Sequence, residues 1–303
     1  MDILSGPRSL RRWAVANLIA NMVIVWTGAL VRLTKSGLGC PTWPQCDAES
    51  YVPQGEAEWH AFIEFGNRTL TFVLIAIALG TAITVFRTVR GRRIRVLSIV
   101  IGLGIGFQGV IGGLTVLTQL NPWVVGLHMV LSVGLIVACV TLVHDAFAVR
   151  PVPAPRLLYL GTQTVFWLSL LMMYLGTVVT GAGPHSGDGA AQRNGFGLSE
   201  VARVHSVTMW ITLAVTVWLA YAARGVRRIQ RAAFLVIGCA VLQAVIGYTQ
   251  YFNHLPMGVV FAHMVGTTLY TVAISHLWRS AAPADRGQKI NGSTAAARKT
   301  TAR

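Results

Sequence analysis

Apolar stretches of about 20 residues alternate along the chain with short polar, basic or glycine-rich segments, and about 20 apolar residues let an α-helix cross the bilayer core. The pattern predicts eight membrane spans, over 13–33, 62–86, 96–116, 124–147, 157–180, 201–223, 232–251 and 257–278. Part of it occurs twice. Gln108-Gly-Val-Ile-Gly112 returns as Gln243-Ala-Val-Ile-Gly247, and His128-Met-Val130 returns as His263-Met-Val265, both at an offset of 135 residues with no gap. Such repetition of a helix, a turn and a second helix marks two related halves. The expected organisation is an N-terminal half over 1–150, a C-terminal half over 151–280, and a small, polar, basic tail over 281–303 that is expected to be disordered.

Composition agrees with a chain built for lipid. It is 54% hydrophobic and 12% charged, with a mean hydropathy of +0.59, whereas soluble domains carry about 25% charged residues. A net charge of +15 would suit nucleic acid, but the basic residues lie in short segments between apolar runs, so no nucleic-acid partner is expected. Twenty of the 25 Lys and Arg residues fall at the N-terminus, in the loops after spans 2, 4 and 6, and in the tail; the other five are Arg32, Lys35, Arg68, Arg193 and Arg203. Positive charge concentrates on the cytoplasmic side, which predicts that both termini are cytoplasmic. Seven of the ten acids fall on the opposite face. Met1 to Trp13 is too short for a secretory signal followed by a separate first span and lacks transit-peptide character, so a bacterial plasma membrane is the expected location.

Span 1 runs into a loop holding Cys40 and Cys46. It lies on the outer, oxidising side, where these cysteines form either a disulfide or a free pair. Cys139 and Cys239 fall within spans and read as packing residues. Past Glu56, Glu58, Trp59 and His60, span 2 opens with Glu64-Phe-Gly-Asn67-Arg68. Ionisable groups inside a span are costly and suggest function. Glu64 and Asn67 share a helix face, and Arg68 and Arg32 could neutralise an anionic group at the outer interface. The alternative for Glu64 and Arg68 is a structural ion pair one turn apart. Span 3 is rich in glycine, as close helix packing or a bulky cofactor requires.

Spans 2, 4, 6 and 8 run inward, and Asn67, His128, His205 and His263 each fall within about two turns of the outer end, a similar depth at about 1.5 Å rise per residue. His205 and His263, on separate helices of one half, suit the two axial positions of a haem iron. Structural zinc prefers closed Cys and His clusters at short spacing, and the spans hold none. Arg203 and Arg68 lie where haem propionates would reach the interface. His60, His185 and His254 fall in outer loops, and His144 and His276 at inner helix ends, where ligation is not expected. The first half offers Asn67 and His128 instead of a histidine pair. That leaves room beside an iron for oxygen or substrate, with Glu64 one turn away as candidate acid, base or charge stabiliser.

These residues resemble the haem A synthase family. The match rests on Gly28-Ala-Leu-Val-Arg32-Leu-Thr-x-Ser-Gly-Leu-x-Cys40-Pro-x-Trp43-Pro-x-Cys46, Glu64-Phe-x-x-Arg68, Gly-x-His128, Thr180-Gly-x-Gly-Pro-His185-x-Gly-Asp188, Arg203-Val-His205 and His263. The resemblance covers all but the tail. It implies an all-α membrane protein of eight spans in two pseudo-symmetric four-helix bundles, with haem b in the C-terminal bundle and haem O as substrate in the N-terminal one. It also implies successive hydroxylation of a haem O methyl group to a formyl group, with molecular oxygen as oxidant, giving haem A for cytochrome oxidase. The family's functional glutamate falls on Glu64, its first-half histidine on His128, and its haem b ligands on His205 and His263. Haem O synthase is the expected source of the substrate, the electron donor stays open, and assembly of copies of the chain is compatible with the pattern. Where this chain has Asn67 the family often has histidine, and a second cysteine pair found in some members is absent.

Two rivals exist. A bis-histidine membrane cytochrome b for electron transfer predicts two histidine pairs, and the sequence holds one. A transporter with two-fold repeats predicts polar residues at the midplane, whereas these cluster at the outer leaflet.

Overall fold

The computed structural model describes residues 3–40, 42–46, 50–51, 59–189 and 191–284. Among them are eight helices long and apolar enough to cross a membrane: α1 (Pro7–Leu33), α2 (Trp59–Thr88), α3 (Arg92–Leu117), α4 (Pro122–Ala146), α5 (Arg156–Ala182), α6 (Leu198–Ala222), α7 (Arg227–Phe252) and α8 (Met257–Trp278). Most start earlier than the apolar pattern predicts. Backbone hydrogen bonding continues where the side chains turn basic, so Arg8, Arg11 and Arg12 join α1, and Arg227, Arg228 and Arg231 join α7. A helix start is fixed by its cap, not by where hydropathy changes. At α4, Asn121 accepts from Trp123 N at 3.0 Å and Pro122 occupies the first turn, where no N–H is needed.

The repeat seen in sequence extends to backbone conformation. The α3–α4 turn places Gln119 and Leu120 at φ 53° and 56°, and the α7–α8 turn places His254 and Leu255 at 58° and 61°. Leu120 N donates to Thr115 O at 2.8 Å, as Leu255 N donates to Gln250 O at 2.7 Å. Non-glycine residues rarely adopt such φ values, so their recurrence 135 positions apart reflects a shared turn.

Within the first half, α1 packs on α2 and α4, and α3 packs on α2 and α4; within the second, α5 packs on α6 and α8, and α7 on α6 and α8. Each group buries its own apolar cluster, including Leu74, Ile101, Ile105 and Leu142 in the first and Val165, Leu219, Ile229 and Ile274 in the second. Other large apolar side chains, such as Phe86, Leu103, Leu157 and Phe234, are exposed, as a lipid environment permits. The two groups meet where α1 and α4 pack against α8 and α4 against α5. Trp26 Nε1 donates to Thr268 Oγ1 at 2.9 Å across this seam. Toward the end opposite the cysteine loop, His144 Nε2 lies 3.0 Å from His276 Nδ1, and Asp145 pairs with Arg279 at 3.0 Å and Arg93 at 3.5 Å.

The segment after α8 departs from expectation. Ala281–Pro283 forms a short strand, β2, paired in parallel with β1 (Val152–Ala154) from the connection between halves. Val152 N donates to Ser280 O at 2.9 Å, and Ala284 N to Ala154 O at 3.1 Å. The small residues here let two backbones meet, so order extends to Ala284; the rest of the expected tail, 285–303, lies outside the described residues.

Candidate functional site

At one end of the helices, the described residues between α1 and α2 (34–40, 42–46 and 50–51) form a cap. Cys40 and Cys46 are joined by a disulfide and are buried. Two side chains from the first turns of α2 hold it. Glu64 Oε2 accepts from Cys40 N at 2.7 Å, while Glu64 Oε1 accepts from Arg68 Nε at 3.1 Å and from Arg68 Nη2. Arg68 also donates to Cys40 O at 2.9 Å, Thr42 O at 3.0 Å and Gln45 O at 3.3 Å. The Glu64–Arg68 pair is therefore present, and its remaining polar capacity goes to the loop backbone. Trp43 reaches across to α3, where a Cβ on Gly113 would stand 2.4 Å from its ring; only glycine admits the indole there. His60 Nδ1 lies 2.9 Å from Ser36 Oγ, away from the cavity described next. Pro41, Glu56 and Glu58 fall outside the described residues.

Beneath the cap lies a cavity of about 1540 Å³, lined by both halves. A pocket for one drug-sized ligand measures about 300–1,000 Å³. Asn67, His128, His205 and His263 all line this one cavity, as do Glu64, Arg32, Arg68 and Arg203. Each of the four ligand-like side chains rests against a glycine on a neighbouring helix. A Cβ on Gly112 would stand 3.5 Å from His128 Cε1, one on Gly176 3.2 Å from His205 Cε1, one on Gly247 3.4 Å from His263 Cε1, and one on Gly28 4.0 Å from Asn67 Nδ2. Asn67 thus occupies in the first half the kind of place His205 occupies in the second. Its Oδ1 accepts from Thr27 Oγ1 at 2.7 Å.

The imidazoles are held differently. His205 Nδ1 lies 2.9 Å from Met172 O. A carbonyl can only accept, so Nδ1 carries the proton and Nε2 keeps its lone pair for a metal. In His128 and His263, Nδ1 is buried without a partner. Among the described residues, no three His, Cys, Asp or Glu side chains gather into a metal cage.

Arg32, at the end of α1, donates from Nη2 to Thr180 O at 2.9 Å and from Nε to His185 O. It reaches the second half and forms no ion pair among the described residues. The bond from Gly37 N to Gly187 O, 2.9 Å, joins the same two connections, and His185 Nε2 lies 2.8 Å from Leu255 O. His185 thus ties loops together. Arg203 is exposed at the cavity wall beside His205, and its guanidinium has no hydrogen-bond or ion-pair partner among the described residues. His254 is exposed in the α7–α8 turn.

The structure therefore brings every candidate site residue to this cavity or its cap. Sequence reasoning missed Thr27, whose hydroxyl orients Asn67; a lone threonine in an apolar run carries no signal.

Comparison with known proteins agrees with this architecture. Heme A synthase of Geobacillus kaustophilus is 32% identical over 111 residues, 36% of this chain and 34% of that one. Heme A synthase of Lysinibacillus sphaericus is 35% identical over 130 residues, 41% and 40% of the two chains. The chain thus spans well under half the length of these two relatives. Heme A synthase of Listeria monocytogenes is 26% identical over 291 residues, 88% of this chain and 94% of that one. The COX15-CtaA family, described as "Cytochrome oxidase assembly protein", matches residues 11–274, and with most of its length so covered the chain belongs to that family.

Proposed function

We propose that the protein is a haem A synthase: it binds haem O and oxidises one methyl group to a formyl group, with molecular oxygen as oxidant and with haem b held in the second half. One observation carries this reading: a single cavity brings together His128 of the first half and His205 and His263 of the second, each of the three seated on glycine. The residues present fit haem. The free Nε2 of His205 is a suitable axial donor, the glycines leave open space that any Cβ would fill, and the volume exceeds that of a one-ligand pocket. When bound, haem b supplies one-electron transfer.

The two halves, 1–150 and 151–280, act as related bundles with different tasks. His205 and His263 would hold haem b. His128 anchors the substrate haem O, and Asn67, its carbonyl oxygen occupied by Thr27, leaves the facing position without a second imidazole. Glu64 lines the wall of the first-half cavity. Clasped by Cys40 N–H and Arg68, it holds the disulfide loop over the substrate and is the carboxyl group placed to act on the reacting haem O. Arg32 and Arg203 offer guanidinium groups to propionates, while Arg68 is committed to the loop. Trp43 and the disulfide loop exclude water from above. The loop-bearing end faces outward from a bacterial plasma membrane with both termini cytoplasmic, as the basic segments require. A bis-histidine electron carrier needs a second histidine pair, and Asn67 stands where it would be.

The test is haem analysis of purified variants made with haem O available. His205→Ala and His263→Ala each lose haem b, whereas His128→Ala keeps haem b and accumulates no haem A. Haem A at wild-type level in His128→Ala, or haem b retained in both second-half variants, overturns the assignment.

A further inference from the structure

The cavity meets the outside of the protein differently in its two halves. Thr69 and Phe72 on α2, and Gly106 and Val110 on α3, line the cavity and are also exposed, Phe72 by 71% and Val110 by 53%. The two helices face each other here, since a Cβ on Gly109 would stand 3.8 Å from Thr71 Cγ2, whereas one on Gly106 would meet nothing within 4 Å. Gly109 lies one turn from Gly112, the glycine under His128, so the opening begins beside the first-half histidine. Side chains that line a cavity and are exposed at once mark where it reaches the surrounding medium, and between two membrane spans that medium is lipid.

The second half serves as the control. The repeat sets Gly106 and Val110 against Val241 and Val245, and the match of Asn67 with His205 sets Thr69 and Phe72 against Val207 and Trp210. None of these four counterparts lines the cavity. Instead, Trp210 Nε1 donates to Tyr248 OH at 2.9 Å and ties α6 to α7. The counterparts of that pair are Phe72, which has no N–H, and Gly113, which has no side chain, so the first half cannot form the tie. The indole of Trp43 stands on Gly113 in its stead, supplied by the cap and not by the helix. A gap that merely took up a lipid chain would serve either half. Its confinement to the half with Asn67 and His128 links it to what that half binds.

We infer that the farnesyl chain of haem O leaves the first-half cavity through the opening between α2 and α3 and lies against lipid there. The inference rests on the haem reading above. Haem O carries this long apolar chain and haem b lacks it. Such a chain is stable against lipid and costly in water, so the half that takes haem O needs a wall open to the bilayer. The tied α6–α7 wall suits a haem without the chain. The opening thus assigns each haem to its half.

The test uses the purified full chain with its resident haem b. Gly106→Phe fills the opening, and its Cβ meets no neighbour. An absorbance titration with added haem O is expected to show affinity lowered about tenfold or more, as crowding an occupied space implies, with the haem b spectrum unchanged. Wild-type affinity for haem O in this variant overturns the inference. A second measurement places p-benzoylphenylalanine at position 110 or at its counterpart 245, loads haem O, and illuminates; the benzophenone joins C–H bonds within reach. The expected result is an adduct of haem O mass at 110 and none at 245. Equal adducts at both positions, or phospholipid alone at 110, overturn the inference, and this measurement decides alone should Gly106→Phe fail to accumulate. A wild-type chain that takes up no haem O removes the haem O reading itself. Conversion of haem O without an adduct at 110 removes only the role of the opening.

Discussion

Replacing Arg68 by methionine tests how the cap is held. The guanidinium donates to Cys40 O, Thr42 O and Gln45 O and neutralises Glu64, whose side chain is 6% exposed against 19% for Arg68. Removing one member of a buried pair costs about 3–5 kcal/mol because the other charge is left unpaired. The partial exposure of Arg68 argues for the low end, about 3 kcal/mol, and at 1.4 kcal/mol per factor of ten that is roughly 100-fold in the opening equilibrium of the loop. The Cys40–Cys46 disulfide reports that opening. Cys40 is 0% and Cys46 4% exposed, so a water-soluble phosphine reduces the bond only when the loop lifts, at a rate proportional to the open population. Arg68→Met is expected to be reduced roughly 100-fold faster than wild type. The double variant Glu64→Gln/Arg68→Met is expected to be slower than Arg68→Met, because it removes the stranded charge and leaves a neutral acceptor for Cys40 N–H. Rates within about threefold of wild type for Arg68→Met, or a double variant faster than the single, refute the clasp.

Three further outcomes follow from the cavity. Gly176→Ala puts a Cβ 3.2 Å from His205 Cε1 and lowers the haem-to-protein ratio, whereas Gly28→Ala meets nothing nearer than Asn67 Nδ2 at 4.0 Å and keeps it; equal loss in both contradicts the glycine seats. With haem O bound, the wild type is expected to take up carbon monoxide at the first-half haem. Asn67→His is expected to give a six-coordinate, low-spin spectrum and lose that uptake, and an unchanged spectrum argues against Asn67 facing the iron. Arg32→Met removes the guanidinium proposed to meet a haem O propionate and should raise the KM for haem O by roughly 10- to 100-fold, as loss of a charged hydrogen bond of about 1.5–3 kcal/mol implies; an unchanged KM removes Arg32 from substrate binding.

The eight spans were legible because a bilayer imposes one length on every crossing helix, and the recurring helix–turn–helix because Gln108, Gly112 and His128 recur in register as Gln243, Gly247 and His263. Counting residues along helices of known rise puts Asn67, His128, His205 and His263 at one level, and the four line one cavity. What stayed hidden depends on contacts between segments distant in sequence. Nothing local to Glu64 and Arg68 shows that their hydrogen bonds go to the backbone of Cys40, Thr42 and Gln45. Nor does Thr27 announce itself as the partner of Asn67, 40 positions away. Helix ends were misplaced where basic residues continue a helix beyond its apolar run, as at Arg227 in α7. The order of Ala281–Pro283 comes from pairing with Val152–Ala154, a match that composition does not encode.

The central claim is that this cavity converts haem O into haem A. Its most direct test is to express the chain with and without a haem O synthase, extract the haems in acid, and identify them by mass. The account predicts haem A or its hydroxylated intermediate only when haem O is supplied, with haem b present in both preparations. Haem b alone under both conditions, in protein shown to be folded, contradicts it.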